Sequence, residues 1–505
     1  MIDNHILAPV FIHLFTAIIQ LIAWRKTISQ RFLSVGGAFI GLLIAIRLFA
    51  KVYTEGSLHM NASNWEPPFG IVFVADMLST TMVLLTSIAG FAVSIFSSVG
   101  LSRQRMLYGY FPIFHFLLMG LNGAFLTGDI FNLYVWFEVV IISSFVLMTL
   151  GGRKAQLEGA VKYMAMNILA STFFLTGIGI LYGITGSLNM ADLSLKIRDF
   201  DNKALVGITS IFFILGFGIK SAVFPLYYWL PSSYHTPPSA VAATFGGLLT
   251  KLGIYAILRV FSLIFIPDEF TRNLFMVLAV LTVLTGAFGA LIKTNIRRMF
   301  SYLIVCHIGF MLGGIAMFTK LALMGTVFYL IHDIMVKTNM FLIAGYIRLV
   351  RGSMDMKKLG GLYKDYPLIS LIIALVLFSL VGIPPLSGFW PKIYLFQEAF
   401  VDKQYFFITA LIIGSLVTMY VIAKMWADVF WKDVPAGVVV EDKFHDQPLF
   451  KKILLVGPIL ILCSVTLYIG FNAENIITVV DRITNELLDT SPYIRTVLGD
   501  KAFEQ

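Results

Sequence analysis

Charged and imidazole side chains inside long apolar runs carry the chemistry of this sequence. Asp76, Glu138, Lys220, Lys251, His307, His332, Asp333, Lys337 and Lys392 all fall in such runs. A charge at the centre of a bilayer costs roughly 2.5–3.5 kcal/mol on insertion scales, so these groups are expected to face a bundle interior, pair, or reach water. Acids, ammonium groups and imidazoles ranged along apolar helices suit proton movement. The plain alternative is a passive scaffold, in which buried charges only hold helices together. Glu138 ends the stretch Phe131-Asn132-Leu133-Tyr134-Val135-Trp136-Phe137-Glu138, and Lys220 is its expected partner because it sits beside a helix breaker. A lysine has a reference pKa of about 10.4, which falls on burial and rises beside a carboxylate. Moving a carboxylate relative to a buried lysine is therefore a proton switch.

The remaining candidates divide by local pattern. Lys251 follows Gly246-Gly247-Leu248-Leu249-Thr250, where the glycines permit close helix packing but do not account for the lysine. Asp333 and Lys337 lie four residues apart on one helix face and can form an internal ion pair, with His332 beside them as a proton-exchange group. Lys392 follows Pro391 and can either snorkel or face water at a break. The run Gly216-Phe217-Gly218-Ile219-Lys220-Ser221 is not a phosphate-binding loop, because isoleucine precedes the lysine and no strand leads in. Cys306 and Cys463 are far apart in apolar runs and fit small core residues rather than a disulfide or zinc site. No organic cofactor and no metal cage is indicated.

The elements that must position these groups are membrane helices. The chain has 505 residues, 58% hydrophobic and only 13% charged, against about 25% charged for soluble domains. Apolar runs interrupted by basic or turn-rich breaks predict about fourteen spans. They lie near 6–24, 32–51, 71–99, 108–126, 129–150, 159–185, 204–230 and 239–265, then 271–292, 299–318, 321–347, 367–400, 404–430 and 451–471. Two of them carry breakers in mid-span: Gly216, Gly218 and Pro225 in one, Gly382, Pro384, Pro385, Gly388 and Pro391 in the other. Both should be discontinuous, and each carries a lysine. The first apolar run is followed, not preceded, by Arg25, Lys26 and Arg31, as in a retained helix rather than a cleaved signal. Basic residues recur in alternate loops (Arg103 and Arg105; Arg153 and Lys154; Lys293, Arg297 and Arg298; Arg348 to Lys364), which places both termini away from the cytoplasm. The net charge of +9 is thus topological and does not indicate nucleic acid.

The run Lys220-Ser221-Ala222-Val223-Phe224-Pro225-Leu226 with Trp229-Leu230-Pro231 resembles the proton-pumping antiporter-like subunits of respiratory complex I. So does His235-Thr236-Pro237-Pro238-Ser239-Ala240 leading to Leu248-Leu249-Thr250-Lys251-Leu252-Gly253. The likeness covers nearly the whole chain. The stretch His332-Asp333-Ile334-Met335-Val336-Lys337-Thr338-Asn339 resembles the branch formed by the D subunits of bacterial Mrp-type multisubunit sodium/proton antiporters. This resemblance implies an all-α polytopic membrane protein with two inverted five-helix repeats, 108–265 and 271–430, after N-terminal helices in 1–107. A last helix at 451–471 and a tail at 472–505 would follow, without the long lateral helix of the largest relatives. It implies a proton relay of Glu138, Lys220, Lys251, His332, Lys337 and Lys392, with His235, Asp333, His307 and Asp76 accessory. Asp333 stands where many complex I relatives carry a histidine, and Lys392 where some carry glutamate. The implied setting is the bacterial cell membrane, with other antiporter subunits, lipids, protons and Na+ as partners. The rival expectations are a subunit of complex I or of a membrane-bound hydrogenase, and a stand-alone transporter of small solutes.

Overall fold

Apolar stretches of this length hide their backbone amides only as helices, and helices dominate the computed structural model, which describes residues 3, 5–438 and 441–500. Helices α1 (Ala8–Ile22) and α2 (Thr27–Glu55) precede a short antiparallel hairpin, β1 (Leu58–Asn61) and β2 (Val72–Ala75). Helices α3 (Met77–Gly100), α4 (Tyr110–Leu126), α5 (Ile130–Thr149), α6 (Lys154–Thr185) and α7 (Lys203–Ser221) follow. Next come α8 (Ser239–Leu263), α9 (Glu269–Leu291), α10 (Ile296–Met317) and α11 (Lys320–Arg351). The chain ends with α12 (Pro367–Val381), α13 (Phe389–Val401), α14 (Tyr405–Trp431), α15 (Leu449–Phe471), α16 (Ala473–Leu488) and α17 (Ser491–Leu498). Among the described residues, 11 helices are long and apolar enough to cross a membrane, and α1, α4 and α12 are shorter apolar helices.

Side chains fix many of the starts. Asp76, Asp129, Asn202, Asp268, Asn295 and Thr319 each accept a backbone N–H of the first turn that follows them. Two interruptions fall where the breakers predict. Helix α7 stops at Ser221, and a turn leads to the short helix Trp229–Ser233. Helix α12 stops at Val381, with Gly382 in the left-handed region at φ 89°, and α13 resumes at Phe389.

The helices are not equally enclosed. The most apolar windows of α8 and α11 are fully buried in protein and that of α10 is 94% buried, whereas α2, α6 and α9 bury 33–44%. The three enclosed helices carry Lys251, His307, His332, Asp333 and Lys337, so these groups are shielded from lipid. The outer helices present apolar side chains such as Phe32, Val161 and Val277 outward, as a lipid-facing shell requires. The tail after α15 folds into α16 and α17, of which α16 packs against α3, α8 and α11.

Candidate functional site

Three polar clusters lie in the interior. The first joins α5, α6 and α7. Lys220, one residue before the end of α7, is buried and donates to Ser171 Oγ over 3.3 Å. Ser171 in turn donates to Glu138 in a short hydrogen bond. The direct Glu138–Lys220 pair expected from the sequence is thus not formed: a serine hydroxyl stands between the two charges. A hydroxyl accepts from one side while donating to the other, so the three groups make a continuous hydrogen-bonded chain. The Lys220 ammonium also lies 5.3 Å from the centre of the Phe137 ring. A void of about 10 Å³ beside Lys220, bounded by Asn167, Tyr163, Leu249 and Leu252, points toward α8. That is room for about one water molecule.

The second cluster centres on Asp333. Its Oδ2 lies 2.8 Å from Lys251 Nζ, off the line of a hydrogen bond, and its Oδ1 accepts from His307 Nδ1 over 3.0 Å. Lys337, expected to pair with Asp333, is the more distant partner at 4.0 Å, and its ammonium has no hydrogen-bond acceptor among the described residues. All four groups are fully buried. Local backbone geometry brings Lys251 in. Residues 245–249 form a π-turn in α8, and Lys251 Nζ donates to the Gly246 carbonyl over 2.8 Å. Gly247 has no room for a side chain, since a Cβ there would collide with Thr338 Oγ1 of α11. The glycines thus let α8 press onto the helix that carries Asp333.

The third cluster lies at the second break. His332 turns away from Asp333 and its Nδ1 lies 2.7 Å from Ser387 Oγ, which is 2.7 Å from Ser379 Oγ. Lys392 donates to the Val381 carbonyl over 2.7 Å, a group released where α12 ends. Among the described residues, no direct hydrogen bond joins one cluster to the next.

Two accessory candidates lie apart from these clusters. Asp76 is not inside a span. The apolar run before it is strand β2, and Asp76 caps α3 while pairing with Arg259 at 2.6 Å. His235 lies in the loop before α8, where its Nδ1 donates to Pro231 O and its Nε2 accepts from Arg298, each over 3.0 Å. Sequence reading passed over Ser171, Ser379, Ser387 and Arg259. It also passed over His13 and His115, whose Nδ1 atoms face each other at 3.0 Å between α1 and α4. Both histidines fall in predicted spans and were legible there; the serines were not, because a hydroxyl hardly alters the hydropathy of a helix.

Residues 127–418 match the family model described as "NADH:quinone oxidoreductase/Mrp antiporter, TM". The chain belongs to this family. It is 40% identical over 500 residues to the D subunit of the Na(+)/H(+) antiporter of Alkalihalophilus pseudofirmus, covering 99% of this chain and 100% of that one. Its structure is similar to a chain in the "Structure of Mrp complex from Dietzia sp. DQ12-45-1b", with a TM-score of 0.89, 28% identity, and 98% and 99% coverage. It is also similar to a chain of the membrane-bound sulfane sulfur reductase, an archaeal respiratory membrane complex, with a TM-score of 0.88, 25% identity, and 98% and 100% coverage. The region matched to the Mrp antiporter family holds all three clusters and leaves out Asp76, His13 and His115.

Proposed function

We propose that this chain is a proton-translocating D subunit of an Mrp-type sodium/proton antiporter complex in a bacterial cell membrane. The observation that carries the reading is a set of three polar clusters, Glu138–Ser171–Lys220 with Glu138 half-buried, and the buried Lys251–Asp333–His307 with Lys337 and His332–Ser387 beside Lys392, two of the three at helix breaks. Protons pass between the clusters through water, and the first cluster gates entry because its two charges communicate through one rotatable hydroxyl. Asp333 acts as the fixed counter-charge that lets Lys251 and Lys337 exchange a proton. Residues 108–265 and 271–430 form the two inverted repeats, and the basic loops face the cytoplasm. The deciding experiment measures sodium-dependent proton movement in vesicles containing the assembled complex. Glu138→Ala and Lys220→Ala are each expected to abolish it while the complex still assembles; normal exchange in either variant overturns the reading. A second reading, a subunit of a redox-driven complex, is favoured only by the likeness to the archaeal respiratory chain. Co-purification separates the two: antiporter subunits support the first, and flavin or iron–sulfur subunits the second.

A further inference from the structure

A cavity of about 280 Å³ opens where α3 and α11 end and α10 begins, on the side of the basic loops. Arg105, Arg153, Arg297 and Arg348 line it, together with Lys443 and Glu441. Among the described residues of the lining Glu441 is the only acid, and it lies 2.9 Å from Lys443. Among the described residues, no carboxylate pairs with any of the four arginines.

Arg297 decides how this cluster is read. Basic residues that only set orientation sit in water. Arg297 is 2% exposed, donates to the Pro237 carbonyl over 2.8 Å and to Ser239 Oγ, and its Nε has no acceptor. An unpaired charge taken out of water is unfavourable unless a counter-charge completes it. Three further guanidinium groups around the same space add to the repulsion that an anion would relieve. Guanidinium groups offer planar, forked N–H donors whose spacing matches phosphate oxygens. We propose that this cavity binds a phosphate-bearing anion, either the headgroup of an anionic phospholipid or a free phosphate ion. The ligand would be tied through Arg297 to the loop 235–239, which connects the first helix break to α8. The site uses none of the residues in the three interior clusters.

The test uses the full chain in its purified complex, in two arms. In the first, thermal stability of lipid-stripped complex is followed while inorganic phosphate replaces chloride at constant ionic strength. In the second, native mass spectrometry scores retained lipid after release from nanodiscs holding equal phosphatidylglycerol and phosphatidylcholine. Saturable stabilisation by phosphate alone supports the proposal with a soluble ligand; selective retention of phosphatidylglycerol supports it with a lipid. Arg105→Gln and Arg348→Gln, at the rim and safer for folding than Arg297, should each weaken the response by about tenfold, the loss of one charge-assisted contact. Absence of any response in both arms, or an unchanged response in the Arg105→Gln/Arg348→Gln double variant, overturns it.

Discussion

Ser171 sets the terms on which Glu138 and Lys220 communicate. Its hydroxyl receives from the ammonium and gives to the carboxylate, so on the proposed reading a proton passes between them without the two touching. Removing the oxygen breaks the hydrogen-bonded chain and leaves both charges in place. Ser171→Ala is therefore expected to lower sodium-dependent proton movement by about tenfold or more, within the range by which a positioned proton-transfer group contributes. Ser171→Thr keeps the hydroxyl and should retain most of the rate. The measurement is vesicle exchange, normalised to the amount of assembled complex; equal rates for the alanine variant and the parent protein would remove Ser171 from the path. The sequence pointed to Glu138 and Lys220 because charge in an apolar run stands out. It could not point to Ser171, whose role depends on which face of α6 meets α7.

At the scale of elements, run length and breakers made the helices readable, while contacts across helices stayed hidden. Pro225 and the pair Pro384 and Pro385 lie in the observed interruptions because a proline lacks the donor that a helix needs. Asp76 was misplaced for a related reason: Ile71–Ala75 is a short apolar run, which hydropathy alone cannot divide between strand and helix. Its partner Arg259 also holds the end of α8 where α16 docks, and Glu486 of α16 accepts from Met77 N over 3.1 Å. Burial, then the Asp76 carboxylate, pushes Glu486 up from an ordinary 4.5 to about 7, against the opposing pull of the Met77 N–H, Arg482 and Arg259. The folded form thus keeps a proton that the unfolded chain loses, and the stability this lends falls as pH rises from about 4.5 toward about 7. Amide exchange in α16 is expected to quicken across that window beyond its intrinsic pH dependence. Glu486→Gln should flatten the excess; an unchanged profile in that variant would assign the effect elsewhere.

For the whole molecule, the arrangement of loops bears on sidedness. Arg105, Arg153, Arg297 and Arg348 come from separate loops and helix ends yet meet around one cavity, and Asp76, Arg259 and Glu486 meet in another cluster. This agrees with alternate loops emerging on alternate faces. The native thiols Cys306 and Cys463 are buried and should stay silent to an impermeant maleimide. With that reagent, Lys293→Cys is expected to label only in permeabilised cells, and Asn202→Cys in intact cells. The reverse pattern would invert the proposed orientation.

The two lysines at the helix breaks are held in different ways. Lys220 leans on a hydroxyl that leads to an acid, whereas Lys392 leans on the Val381 carbonyl. A peptide carbonyl neither takes up a proton at physiological pH nor swings away as a side chain does. In circuit terms, the proposed path has a switch at one terminal and a fixed contact at the other. On the proposed reading, energy from outside the subunit enters most directly at the Glu138 end, where a side chain can move, and the Lys392 end follows.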